Sequence, residues 1–289
     1  HTMLATASAI KFAGGIPIPV DIGEDFLIST QSIKDAITSN TVGIMPTQLN
    51  GRVCNMDEII SIAKKNNLFV VEDSAQALGA RYKGQHAGTF GLAATISFYP
   101  AKVLGCLGDA GAVLINDKSL YDKIYQIHDH GRSKDGEVMR WGRNSRLDNI
   151  QAAILSYKFK NYDKVIKRRR AIAQMYQERL SVLEQLKLPP APSENSDNFD
   201  VYQNYELLAK NRDELKIYLS KKNIGTLIQW GGKGIHHFTN LGFRQVLPKT
   251  DEFFKSCIML PMNMFISDSD INYVSETIIK FYKNNKKGI

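Results

Sequence analysis

Long apolar runs are missing from this chain. No stretch approaches the roughly 18 consecutive apolar residues of a membrane-spanning helix, which argues against a spanning segment. The opening, His1-Thr2-Met3, lacks the basic-then-apolar layout of a secretory signal. Cysteine is scarce. Cys54, Cys106 and Cys257 are widely spaced, odd in number and free of any Cys-x-x-Cys pairing, so a disulfide framework is excluded, no metal site is expected, and the pattern fits a reducing cytoplasm. No Gly-x-Gly-x-x-Gly follows an early strand, which removes the usual mark of a dinucleotide-dependent oxidoreductase. Internal repeats and low-complexity tracts are also absent.

What is present suits a globular α/β protein. With 289 residues, 43% hydrophobic and 23% charged, the chain can bury one large core and a smaller one. Its net charge of +8 is carried partly by Lys167-Arg168-Arg169-Arg170 and by the tail from Lys283 to Lys287. Such runs read as solvated helix faces or tails, so no nucleic-acid partner is expected, only a modest attraction for anionic substrates.

The pattern alternates strand and helix. Ile16 to Asp21 reads as a proline-interrupted edge strand, Ser29/Thr30 as the cap of a helix over residues 31–38, and Val42 to Met45 as a buried strand. Asn50-Gly51 turns the chain before a helix that opens at Met56 with acids in its first turn and lysines in its last. This alternation predicts a mostly parallel sheet covered on both faces.

The stretch from Phe69 to Val113 concentrates the chemistry. An apolar strand, Leu68 to Val71, ends in Glu72-Asp73-Ser74, and a second, Thr95 to Phe98, runs through Pro100 into Lys102. Gly105, Gly108 and Gly111 then form a loop before a third strand, Ala112 to Ile115. Ligands of open α/β sheets bind outside the carboxyl ends of the strands, so Asp73 and Lys102 can face one ligand. A buried lysine amine forms Schiff bases with aldehydes and a carboxylate keeps a pyridine nitrogen protonated, which together describe pyridoxal phosphate.

The segments Glu-Asp-Ser-Ala-Gln and Ser-Phe-Tyr-Pro-Ala-Lys closely resemble those of the pyridoxal-phosphate nucleotide-sugar aminotransferases of the DegT/StrS type, and the likeness runs through nearly the whole chain. That resemblance implies the fold type I aminotransferase architecture, with a mostly parallel sheet in a large cofactor domain and a smaller C-terminal α/β domain. It makes Lys102 the covalent anchor and proton carrier, Asp73 the partner of the pyridinium nitrogen, Gln76 a neighbour of the ring, and Ser97 a phosphate ligand. Trp141 to Asp148 resembles the family's Gly-x-Asn-x-Arg motif, and Asn144 then reaches the phosphate of a neighbouring subunit in a homodimer with shared sites. Met3 falls where many members stack an aromatic residue on the ring, a role a thioether fills less well. The family's Ser-Gly-Thr-type phosphate turn lies in a segment preceding the matching threonine and is not in this sequence, so part of the amino-terminal cofactor domain is expected to be missing from it.

Further along, Asp117 to His130 reads as a helix ending at Gly131, with His128 and His130 structural. A long helical region from Gln151 to Glu184 carries the apolar stripe Ile154, Leu155, Phe159 and Tyr162, and the proline-rich Leu188 to Ser193 is an extended linker. We place a cofactor domain in residues 1–160, and the linking helix and small domain in residues 161–289. The latter is expected to hold strands at 204–208 and 226–230, a helix capped by Asn211, and a final amphipathic helix through Ile271, Val274, Ile278 and Phe281.

The implied reaction moves the amino group of L-glutamate to a nucleotide-linked keto-deoxysugar in the cytoplasm, for deoxyaminosugars of surface glycans such as lipopolysaccharide. The segment Gly225 to Phe238 resembles members acting at C3 of dTDP-linked 3-keto-6-deoxyhexoses, with Trp230 offering an apolar face to the sugar and Lys233 and His236 meeting its diphosphate or a hydroxyl. A 4-keto-sugar aminotransferase and a catalytically silent regulatory or scaffold relative are the alternatives.

Overall fold

The computed structural model describes residues 1–285, so Lys286 and Lys287 of the basic tail lie outside the described residues. Helix α1 (Leu4–Phe12) opens directly after Met3 and is followed by Gly14 in the left-handed region. The expected strand from Ile16 to Asp21 does not form. Pro17 and Pro19 have no N–H to give to a ladder, and only an Ile22–Ile28 bridge closes the turn that follows. Helix α2 (Thr30–Ala36) starts where the Ser29 hydroxyl accepts the Ser32 N–H, and strand β1 (Gly43–Ile44) follows. Helix α3 (Met56–Lys65) is capped by Asn55 and buries Met56, Ile59, Ile62 and Ala63, one stripe at helical spacing.

Strand β2 (Phe69–Asp73), a short hairpin β3 (Arg81–Tyr82) and β4 (Gln85–His86), and strands β5 (Ala93–Ser97) and β6 (Gly111–Ile115) come next. The main sheet has the order β1-β2-β5-β6, with parallel junctions on either side of β2 and an antiparallel one between β5 and β6. In register, Asp73 lies opposite Thr95 and Ser97 opposite Gly111, so β2 and β5 release their chains at the same edge of the sheet. The pleat separates the two acids. Glu72 is fully buried and accepts four hydrogen bonds, from Gln48 and from the N–H groups of Gly88, Phe90 and Gly91, which makes it part of the scaffold. Asp73 alternates to the open side.

Helix α4 (Lys118–His128) ends earlier than the sequence suggests, because the chain from Asp129 to Asn144 folds back as an arm bridged at Asp129–Asn144 and Arg132–Val138. The single long helix expected from Gln151 is two helices, α5 (Asn149–Phe159) and α6 (Tyr162–Leu180), with the break at Asn161, a residue type that competes with the helix for backbone partners. Strands β7 (Leu186–Lys187), β8 (Asn198–Phe199) and β9 (Tyr205–Ala209), helices α7 (Arg212–Ser220) and α8 (Pro248–Ser256), strand β10 (Cys257–Leu260) and helix α9 (Asp268–Asn285) complete the described chain. A second, antiparallel sheet has the order β10-β9-β7, while β8 returns to pair with β3. The strand expected at Thr226 to Trp230 is absent. Leu227 alone bridges Met259, and the positive φ angles of Trp230 (48°) and Gly231 (67°) turn the backbone into a short 3-10 stretch.

Two large apolar clusters result, beside smaller ones. One gathers Met56, Ile59, Val70, Leu104 and Val201 around the main sheet, and the other gathers Leu207, Leu215, Ile258, Ile271 and Ile278 around the second. Each such side chain contributes about 1.5–3 kcal/mol on burial. Helix α6 serves both, with Tyr162 and Ile166 in the first cluster and Ile172, Tyr176 and Leu180 in the second. Its Arg169, buried between them, donates to the carbonyls of Tyr202 and Gln203 and ties the approach to β9 to the helix.

Candidate active site

The open edge of the main sheet holds Asp73 and Lys102. Lys102 follows β5 through a turn in which its N–H donates to the Tyr99 carbonyl (2.8 Å). Its side chain is half-buried and makes no hydrogen bond or ion pair among the described residues. Burial holds the amine below the usual lysine value, and the charge of nearby Asp73 opposes that shift. A lysine of this kind keeps a larger neutral, nucleophilic fraction.

Asp73 is held in place by one hydroxyl and one backbone N–H. Thr6 Oγ1 donates to Asp73 Oδ2 (2.7 Å), and the Ala75 N–H donates to Oδ1 (3.2 Å). Because the Thr6 proton is committed, Thr2 donates to Thr6 (2.7 Å) and Thr47 in turn to Thr2 (2.9 Å). The chain of three threonines gave no signal in the sequence, since each is an ordinary polar residue until α1 is laid beside the sheet. Met3, the residue before α1, is 56% exposed next to this chain. An oriented carboxylate beside a desolvated, unpartnered amine fits the pyridine nitrogen and the aldehyde of pyridoxal phosphate.

Gln76 and Ser97 flank the pair. Gln76 Oε1 accepts the Asn50 N–H (2.7 Å), which fixes the turn at Asn50 against the end of β2. Ser97, the last residue of β5, accepts the Tyr99 N–H (3.3 Å). Behind them lies a buried polar network. Asn50 Nδ2 donates to Glu206 Oε2 (2.7 Å) and Asn204 donates to Asn50 Oδ1 (2.7 Å). The Gln229 amide, with its nitrogen turned to the carboxylate, donates to both Glu206 oxygens (2.9 and 3.2 Å). Burial pushes the Glu206 carboxyl up to about 7, against the hydrogen bond from Asn50.

The remaining expected residues lie elsewhere. Asn144 is on the exposed arm, where its Oδ1 accepts from Arg146 (3.1 Å), and the structure does not bring it to Asp73 or Lys102. Trp230 is half-buried, packs against both the main cluster and the small cluster of Ile22, Phe253 and Phe254, and stands next to Gln229. Lys233 is exposed. His236 is turned inward, only 6% exposed, with Nε2 2.8 Å from Asp251 Oδ1. The histidine that stays exposed is His237, which reaches the same oxygen at 2.8 Å. Hydrogen bonds from His236 foremost, and then His237, hold the Asp251 carboxyl below the usual carboxylate range.

His236, His237 and Asp251 also form a group of three possible metal donors among the described residues. Hydrogen bonding assigns them another role. The Gly234 N–H donates to His237 Nδ1 (3.1 Å), which places that ring's proton on Nε2, facing Asp251, and leaves no lone pair there for an ion. The cluster latches the 234–237 turn to α8.

Comparison with known proteins agrees with this chemistry. A family model described as the DegT/DnrJ/EryC1/StrS aminotransferase family matches residues 1–279. The chain is 37% identical to a pleiotropic regulatory protein of Geobacillus stearothermophilus, over 98% of its own length and 77% of that protein. It is 34% identical to GDP-perosamine synthase of Escherichia coli O157:H7, over 98% of its length and 78% of the relative. It is 35% identical to dTDP-3-amino-3,6-dideoxy-alpha-D-galactopyranose transaminase of Aneurinibacillus thermoaerophilus, over 97% and 77%. Among solved structures, S. venezuelae DesV in complex with a ketimine intermediate superposes with a TM-score of 0.91 at 31% identity, covering 97% of this chain and 76% of that one.

Proposed function

We propose a substrate on the premise that this chain belongs to the DegT/DnrJ/EryC1/StrS aminotransferase family and is a pyridoxal-phosphate-dependent sugar transaminase. The amino group of L-glutamate passes to C3 of a thymidine-diphosphate-linked 3-keto-6-deoxyhexose. The observation that supports C3 and dTDP is the likeness, over 97% of the chain, to the Aneurinibacillus enzyme named for a dTDP-3-amino sugar. A GDP-linked sugar is the second reading, favoured by the likeness to GDP-perosamine synthase.

Pyridoxal phosphate, when bound, supplies the electron sink through which one amino group is exchanged for another. Lys102 is the covalent anchor and moves the proton at the reacting carbon, a task suited to an amine whose burial favours its neutral form. Asp73, oriented by Thr6, holds the ring nitrogen protonated. Gln76 packs beside the ring, Ser97 holds phosphate, and Met3 covers a ring face. Trp230 presents an apolar face to the deoxysugar and Lys233 meets its diphosphate, while His236 keeps the turn between them closed against Asp251. Asn144, on its exposed arm, completes the phosphate site of a second copy, so the working unit is a homodimer.

The test is to incubate the cofactor-loaded full-length protein with glutamate and a panel of nucleotide-linked 3-keto and 4-keto sugars, with products read by mass and NMR. A dTDP sugar aminated at C3 is the expected product. Preference for C4 or for a GDP sugar overturns the assignment, and a protein that shows no cofactor absorbance and no amination would instead be a regulatory relative.

A further inference from the structure

We propose that Gln203 is a positioning residue for Lys102. The inference rests on Lys102 as the covalent anchor. Gln203 sits just before β9, a hundred residues from the loop it touches, and is buried to 8% exposure. Its Nε2 donates to the carbonyl of Ala101 (2.8 Å) and its Oε1 accepts the N–H of Val103 (2.9 Å). Those are the backbone groups immediately before and after Lys102. A single side-chain amide therefore holds the backbone on both sides of the anchor residue.

Only an amide of this length satisfies both contacts. A carboxylate has no donor for the Ala101 carbonyl, and an aliphatic residue takes away the partner of both backbone groups. Gln203 is itself fixed from two directions, since its N–H donates to the Asn50 carbonyl (2.9 Å) and its carbonyl accepts from Arg169 (3.1 Å). The Lys102 amine, by contrast, has no hydrogen bond among the described residues. The aim of its four-carbon stem is set by the direction in which the backbone releases it, and Gln203 sets that direction. Asn50 carries the same brace to Gln76, so the ring neighbour and the anchor share one support.

The test uses the full-length, cofactor-loaded protein with Gln203→Leu, which removes both contacts at similar volume, and Gln203→Glu, which keeps the acceptor and loses the donor. Two readouts bear on aim rather than on folding: the pH midpoint of the cofactor's visible absorbance, and the rate at which borohydride fixes the pyridoxyl group to Lys102. The expected result for Gln203→Leu is a displaced midpoint, slower trapping and a kcat for the glutamate half-reaction lower by about 10- to 100-fold, with KM for glutamate held within about twofold. Gln203→Glu should fall between Leu and the parent, and it decides the matter if the Leu variant does not fold. A lowered melting temperature with unchanged midpoint, trapping rate and kcat would show a structural tie only and overturn the proposal. Peptide mapping of the parent protein is the separate check, because a pyridoxyl group on any lysine other than Lys102 removes the premise itself.

Discussion

The open edge of the main sheet and the arm from Asp129 to Asn144 both carry residues matched to one cofactor site, yet they are built in opposite ways. At the sheet edge, Asp73 and Ser97 are set by strand register, and Lys102, Gln76 and Asp73 are each braced by partners distant in sequence. The arm is tied only to itself and to the end of α4, where the Gly131 and Arg143 N–H groups donate to the carbonyls of Gln126 and Ile127. Residues 141–150 are all exposed, and Val138, Met139 and Trp141 stand 70%, 60% and 98% exposed. The arm exposes three large apolar side chains among charged ones and, under the function proposed above, offers Asn144 to a second copy, whereas the sheet edge brings Asp73 and Lys102 together within one chain.

The sharpest way to break the comparison is at the anchor. Lys102→Ala should abolish turnover and the cofactor's visible absorbance, and borohydride reduction with peptide mapping of the parent should find the pyridoxyl group on Lys102. Asp73→Asn comes next, because a neutral amide cannot hold the ring nitrogen protonated. Activity should fall by on the order of a hundredfold or more while cofactor remains bound, as measured by steady-state rates beside cofactor content. Near-parental turnover would remove the pyridinium role.

For the arm, Asn144→Ala should weaken cofactor binding by about tenfold, the effect of one charge-assisted phosphate contact. At a cofactor concentration too low to fill Asn144→Ala homodimers, mixing them with inactive Lys102→Ala chains should restore partial activity, since a hybrid dimer holds one site with both residues intact. No recovery, or a fully active monomer in sedimentation, would show that the arm serves no second copy.

The smallest effect concerns the brace behind the sheet edge. Glu206 has a folded-state pKa of about 7 against an ordinary 4.5, so between those values the folded protein binds the proton more tightly than the unfolded chain. Stability should therefore fall as pH rises through this window and level off above it, by about 3 kcal/mol in all. Glu206→Gln should flatten that dependence in denaturant titrations at pH 5 and pH 7.5. An equal slope in both proteins would assign the titration elsewhere. Substitutions on the exposed arm should leave the profile unchanged.

Much of this was legible in the sequence because it is local. The apolar run into Glu72-Asp73 ends a strand, the capped and amphipathic pattern from Asn55 to Lys65 is a helix, and the stripe of Ile271, Val274, Ile278 and Phe281 lies on the second core. The misreadings are equally local in cause. Two prolines undid the expected strand from Ile16 to Asp21, and left-handed backbone at Trp230 and Gly231 undid the one ending there.

The residue types by themselves determined the chemistry, because an aspartate that ends β2 and a lysine in the turn after β5 are placed by strand period and turn length. Tertiary structure alone decided which acid faces the site, that Thr6 orients Asp73, that Gln203 frames Lys102, and that His236 points inward while His237 stays exposed. Most of these contacts join residues tens to a hundred positions apart, and all depend on which face each backbone turns to the next element. That is fixed by packing and register, and no local pattern encodes it.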